Sequence, residues 1–147
     1  MGYRIISAEK RHLDDLEALE RACFSVPWTI GQLTAELPDG HHEFLVAEEN
    51  GSVLGYIGMM HVLDEGYISN VAVAPEQRRQ GIASALITEL LDRSRKLGLS
   101  FVTLEVRASN EPAIALYQSF DFAPVGRRKN YYDAPKEDAI LLTRFLK

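Results

Sequence analysis

Two side chains in the second half of the chain stand where protons could be moved. Glu105 lies inside a strand-like run, Phe101-Val102-Thr103-Leu104-Glu105-Val106-Arg107, flanked by Gly98 and Asn110. A carboxylate in such a run is costly unless it is solvated or paired. It is therefore an ion-pair partner of Arg107 two residues on, a group at an open strand edge, or a general base that takes its proton through water. Tyr117 falls on the stripe Ala113, Leu116, Tyr117, Phe120 of the following helix. It is either an ordinary core-edge tyrosine or a phenol that protonates a departing thiolate. Cys23 could carry a covalent acyl group. It shares an apolar stripe with Leu13, Leu16 and Leu19 and has no histidine nearby in sequence, so buried packing is expected. His41 and His42 lack acidic or cysteine partners at ligand spacing, so exposed loop positions are expected and no metal site.

The elements that must position these groups centre on Asn70–Leu91. The short run Val71-Ala72-Val73 is broken by Pro75, and the turn Arg78-Arg79-Gln80-Gly81 passes directly into an amphipathic helix. Along it Ala83, Leu86, Ile87, Leu90, Leu91 and Leu97 recur at helical spacing. The first N–H groups of a helix have no internal partner, and the macrodipole places partial positive charge there. Arg78 and Arg79 add formal charge, and Gly81 lets a ligand approach the backbone. The loop reads as a pyrophosphate cradle or as a plain turn with solvated arginines. It lacks both the glycines of a dinucleotide fingerprint and the Gly-Lys-Ser/Thr ending of a P-loop.

Around this centre the pattern predicts strands at Tyr3–Ile6, Phe44–Glu48, Val53–Val62, Gly66–Val73, Phe101–Arg107, about Phe122–Tyr132 and Ala139–Phe145. Asn50-Gly51 predicts a hairpin turn. Ser7 is expected to cap the first helix, and Thr29 a short second one running to about Leu37. Ser109 or Asn110 is expected to cap the helix Asn110–Phe120, with Pro112 in its first turn. Phe24 and Trp28, on a proline-constrained loop, either fill core or frame a substrate mouth. The result is one α+β domain over residues 1–147, with a mixed, mostly antiparallel sheet of about seven strands and about four helices. Neither a repeat nor a linker interrupts it.

Composition bounds the partners. A net charge of −5 argues against non-specific nucleic-acid or anionic-membrane binding and suits a cationic substrate such as an amine. A single cysteine rules out an intrachain disulfide and fits a reducing compartment. With no apolar run of transmembrane length and no signal-peptide core, the expected location is the cytoplasm. Ile6 stands where a myristoylation signal after Met1-Gly2 needs Ser or Thr.

The spacing Arg78-x-x-Gly81-x-Ala83 resembles the coenzyme A signature of the GNAT superfamily of N-acetyltransferases. The run Leu104-Glu105-Val106-Arg107-Ala108-Ser109-Asn110, followed by Ala113-Ile114-Ala115-Leu116-Tyr117, is similar to the late core of its protein N-terminal acetyltransferases. Phe24-x-x-Pro27-Trp28, Arg127-Arg128-x-Asn130-Tyr131-Tyr132 and Glu137-Asp138-Ala139 extend the likeness over nearly the whole chain, and it is strongest to the ribosomal-protein alanine acetyltransferases. The resemblance implies acetyl-coenzyme A as cosubstrate, no metal, and direct transfer within a ternary complex. It implies that Val71, Ala72 and Val73 offer backbone groups to the pantetheine arm and the acetyl carbonyl. Arg78, Arg79, Gln80, Gly81, Ile82, Ala83 and Ser84 would hold the pyrophosphate, and Asn110 would touch the coenzyme. Glu105 would accept the proton, Tyr117 would donate one, and Phe24, Trp28, Tyr131 and Tyr132 would frame the slot for a substrate N-terminus. The implied substrate is the N-terminal alanine of small-subunit ribosomal protein eighteen. Lysine side chains, small-molecule amines, or a non-catalytic acetyl-coenzyme A-binding regulatory role remain as alternatives. Phe120-Asp121-Phe122 departs from the family's Leu-Gly-Phe; Asp121 is expected to tolerate the left-handed cap that glycine would otherwise take.

Overall fold

Seven strands form one sheet in the order β1-β2-β3-β4-β5-β7-β6 in the computed structural model, which describes residues 2–147. The strands are β1 (Arg4–Ser7), β2 (His42–Glu49), β3 (Ser52–Val62), β4 (Glu65–Val73), β5 (Phe101–Arg107), β6 (Ala123–Tyr132) and β7 (Glu137–Phe145). The helices are α1 (Leu13–Cys23), α2 (Ile30–Ala35), α3 (Ile82–Lys96) and α4 (Glu111–Gln118). Every neighbouring pair is antiparallel except β4–β5. The expected mixed α+β architecture is thus observed.

Sequence periodicity explains the layering. On one face of the sheet α3 buries Leu86, Ile87, Leu90 and Leu91 against Leu45, Ile57, Met59 and Val102. On the other, Leu16 and Leu19 of α1 and Leu33 of α2 cover Phe44, Val46 and Tyr56. The Asn50-Gly51 turn has positive φ at both residues (51° and 85°), as a two-residue hairpin of this hand requires. Thr29 caps α2 reciprocally with Gln32, as expected, although the helix ends at Ala35. Asp121 takes a φ of 64°, the left-handed conformation anticipated for it. Ser7 does not cap a helix. It ends β1 and its Oγ accepts from Arg93 at 2.8 Å, while a 3-10 turn, Lys10–His12, closed by a Glu9–His12 capping box, leads into α1.

Two irregularities open the sheet. Pairing slips so that Gly58 faces Asn70 and Met59 faces Ile68, leaving Ser69 as an extra residue in β4. This bulge re-aims the strand: Ile68 packs with the α3 layer and Ala72, four residues on, with the α1 layer. β4 and β5 then pair only between Glu65–Tyr67 and Phe101–Thr103. Beyond that point they diverge, and the gap between them becomes a groove.

Away from the groove, Glu48 joins the N-terminal turn to β2. It accepts from Arg11, from His12 at 2.7 Å and from Arg4 at 3.2 Å. The hydrogen bond from Arg11, then that from His12, hold its carboxyl down to about 2 against the opposing effect of burial. A depressed carboxyl contributes stability that is fully present above its ordinary value of 4.5 and is lost as pH falls toward about 2. Glu48→Gln is expected to lower the urea midpoint at neutral pH and to flatten its dependence on pH across that acid interval.

Candidate active site

The groove begins at the N-terminus of α3. Gly81 is the N-cap, with φ 77°, and no atom lies within 4 Å of where a Cβ would stand, so the backbone there is open to a ligand. No side chain caps this end and no acidic residue lies in its first turn. The positive end of α3 therefore faces a hollow of about 220 Å³ lined by Val73, Arg78, Arg79, Gly81, Ile82, Ala83 and Ser84. Gln80, expected to share in this cradle, does not line it. Arg79 holds a φ of 66°, a left-handed conformation at a non-glycine residue that sequence reasoning missed. Gly55 of β3 brings the neighbouring layers close: a Cβ there would meet the Ala72 carbonyl at 2.8 Å and Ile82 at 3.3 Å.

Arg78 turns inward rather than outward. Its Nε donates to the Val73 carbonyl at 3.2 Å and its Nη2 lies 3.6 Å from Cys23 Sγ, which itself donates to the same carbonyl at 3.5 Å. The Val73 carbonyl thus points into the groove, while Ala74 N–H turns the other way to Leu54. A residue's N–H and C=O lie on one side of an extended strand, so the Val73 N–H faces the groove as well. Cys23 is half-buried and lines this passage instead of packing wholly in the core. The passage, about 280 Å³, shares Val73, Arg78 and Ala83 with the cradle and Cys23, Phe24 and Val71 with a larger chamber.

That chamber, about 560 Å³, lies in the divergence of β4 and β5 and is lined by both Glu105 and Tyr117. Glu105 does not pair with Arg107. Arg107 instead donates to the Asp133 and Pro135 carbonyls and to Glu137, and lies over the Tyr132 ring at 4.4 Å. Glu105 meets Arg128, whose Nε is 2.5 Å from Oε2, and Tyr131, whose hydroxyl is 3.5 Å from Oε1. The Arg128 contact is close but not aligned as a hydrogen bond, so Oε2 is buried with no hydrogen-bond donor among the described residues.

Tyr117 is 3 % exposed and meets Phe122 edge to face at 5.3 Å. Burial raises its hydroxyl well above the usual tyrosine range. Its phenol therefore stays protonated at any physiological pH, the state a proton donor needs. Asn110, not Ser109, caps α4, accepting from Ala113 N at 3.2 Å, and it also lines the chamber. Phe24 and Trp28 pack against the α1 layer and also border the chamber. Tyr132 borders it too; Tyr131, expected to share in framing the slot, is half exposed and does not line it, but meets Tyr132 edge to face at 5.1 Å.

Sequence reasoning overlooked Glu20. This carboxylate is 1 % exposed and borders the chamber. It accepts from Trp28 N at 2.7 Å, from Asn70 Nδ2 at 3.4 Å and from the Tyr56 hydroxyl, tying the aromatic loop to the bulge in β4. The signal existed: Glu20 stands four residues after Leu16 and three before Cys23, on the inward stripe of α1. His42 is also less exposed than expected, paired with Asp39 at 3.0 Å and Glu36 at 3.6 Å. No cluster of three His, Cys, Asp or Glu side chains could hold a metal ion among the described residues.

Comparison with known proteins bears on this geometry. The acetyltransferase (GNAT) family model matches residues 13–122. The [ribosomal protein bS18]-alanine N-acetyltransferase of Escherichia coli is 35 % identical over 140 residues, covering 94 % of each chain. A crystal structure of the ribosomal-protein-S18-alanine N-acetyltransferase from Escherichia coli superposes with a TM-score of 0.92 over 99 % of this chain and 94 % of that one. The N-alpha-acetyltransferase RimI of Mycobacterium tuberculosis is 34 % identical over 122 residues, 80 % of this chain and 75 % of that protein. The NatC complex bound to Gag peptide and CoA contains a chain similar over 100 % of both, with 25 % identity and a TM-score of 0.86.

Proposed function

The chain belongs to the acetyltransferase (GNAT) family, and from that premise we propose that it acetylates the α-amine of a protein N-terminus, with the N-terminal alanine of ribosomal protein bS18 as substrate. The observation that carries this reading is the continuity of the groove. An anion cradle at α3 opens through a passage walled by β4 into a chamber lined by a carboxylate and a buried phenol.

Acetyl-coenzyme A supplies a thioester as the acetyl donor. The residues present suit it: the uncapped N–H groups at Ile82–Ser84 and the Arg79 guanidinium would hold a diphosphate, and the backbone groups of Val71 and Val73, which turn away from β3, would meet the arm that leads from it, whereas those of Ala72 face β3. The chain's own groups then divide the proton work. An α-amine titrates near about 7.7–8.0, so a fraction is neutral at physiological pH and Glu105 removes the proton from the rest. The neutral amine attacks the thioester carbonyl, and the Val73 N–H meets the charge that develops on its oxygen. Tyr117 gives its proton to the departing sulfur. Phe24, Trp28 and Tyr132 border the chamber that would receive the substrate's chain end, and Tyr131 stands against Glu105 outside that lining.

Incubation with acetyl-coenzyme A, followed by intact-mass and fragment measurement, tests the reading. An Ala-starting peptide should gain one acetyl group on its α-amine, while an N-blocked, Lys-containing peptide should gain none. Acetylation of the blocked peptide at lysine would replace the N-terminal reading with the side-chain one. Cys23→Ala should turn over normally, because transfer passes directly to the amine. Loss of turnover in that variant would point to an acyl-cysteine instead.

A further inference from the structure

The end of β6 covers the carboxylate of Glu105, and none of the roles above uses that contact. Arg128 faces Ala139 of β7, which faces Arg107 of β5 on its other side. Arg128, Arg107 and Glu105 therefore project from the same face of the sheet, with one strand between. Ala139, between Arg128 and Arg107, is buried and small, so the Arg128 side chain can cross β7 and reach diagonally to Glu105, whose own partner on β7 is Leu141. Arg128 reaches across to place Nε 2.5 Å from Glu105 Oε2, and its guanidinium lies 5.8 Å from the Tyr131 ring centre. Tyr131 covers the second oxygen at 3.5 Å. The pairing of β6 with β7 is irregular between Arg128 and Tyr132, and Asn130 holds a φ of 53° there, so a bulge turns these two side chains toward β5.

The contact is electrostatic without being a good hydrogen bond. Oε2 is buried and unmatched, although a full positive charge stands beside it. An incoming ammonium can supply both the charge and an aligned N–H, so it can replace Arg128 on that oxygen. Water can supply the N–H equivalent, an O–H, but no charge to replace the guanidinium.

We propose that Arg128 is a specificity-determining residue that guards Glu105: it occupies the position that the substrate's ammonium takes, and so withholds the base from water. The proposal rests on Glu105 being the proton acceptor. Unguarded, Glu105 would take a proton from water as the water oxygen bonds to the thioester carbon. The carbon–sulfur bond then breaks, Tyr117 protonates the sulfur, and acetate and the free thiol leave.

The test follows thiol release from acetyl-coenzyme A without peptide, and peptide KM and kcat with it, for the native protein, R128Q, R128K and E105Q. Arg128 is more than half exposed on an edge strand, so R128Q and R128K should fold, and thermal unfolding checks this for all three variants. In R128Q, peptide-independent hydrolysis should rise by about three-fold or more, and peptide KM should fall by about two- to five-fold, the scale of a partly exposed ion pair. R128K, which keeps a cation over the carboxylate, should return hydrolysis toward the native rate. An unchanged or lower hydrolysis rate in R128Q, or a peptide KM that holds or rises, overturns the guard. The two failures separate cleanly: E105Q with native transfer removes the proton-acceptor reading itself, whereas an inactive E105Q beside an unaltered R128Q removes only the guard.

Discussion

Replacing Glu105 by Gln is expected to lower kcat/KM for an Ala-starting peptide by about 10²–10⁴-fold, the usual contribution of a positioned general base. Gln has nearly the same shape and keeps a carbonyl toward Tyr131, so acetyl-coenzyme A affinity should not change. Stability should hold as well. Gln removes the ion pair with the partly exposed Arg128, worth about 0–1 kcal/mol, and with it the desolvation cost of the carboxylate, so the two changes largely offset. The variant should therefore melt close to the native temperature while losing nearly all turnover. A variant that is inactive because it is unfolded would show the opposite pairing. Raising the pH should restore part of the lost rate, because more of the α-amine then arrives already neutral. Steady-state kinetics at several pH values, beside calorimetry, checks all four expectations.

Tyr117→Phe is the second large effect. Removing the hydroxyl leaves the edge-to-face contact with Phe122 in place, so the fold should survive. Turnover should fall by about 10²-fold or more, the lower range for a proton donor in the reacting centre. The loss should be nearly constant across the neutral range. Burial raises the native phenol above the usual tyrosine range, so it stays protonated there and no alkaline limb from this group enters near neutrality. A further check uses leaving-group ability: an acyl donor with a more acidic thiol needs less protonation and should narrow the gap between native and variant. If Tyr117→Phe turned over at the native rate, water or another group would have to serve the sulfur.

Local chemistry made much of this protein legible in advance. Apolar spacing marked α3 and the strands, Asn50-Gly51 marked a hairpin, and Thr29 marked a cap, because each depends only on residues within a few positions of one another. The open turn at the head of α3 was legible for the same reason: a glycine close after two arginines before an amphipathic helix is a local arrangement. Glu105 and Tyr117 could be singled out by type and spacing, and family likeness joined them to one reaction.

What tertiary structure decided is which groups meet. β7 enters the sheet between β5 and β6, so Arg128 rather than the sequence neighbour Arg107 stands over Glu105. That choice depends on a strand order set by long-range pairing, and no spacing along one strand carries it. The splaying of β4 from β5 likewise follows from packing on both faces and the extra residue at Ser69, and it alone turns a carboxylate in a strand into a carboxylate in a groove. Glu20 was readable as an inward position, but that its charge would be met by a backbone N–H from Trp28 and a hydroxyl from Tyr56 required the folded loop. Chain-local interactions set each element; the energy of burying and pairing distant side chains set the site.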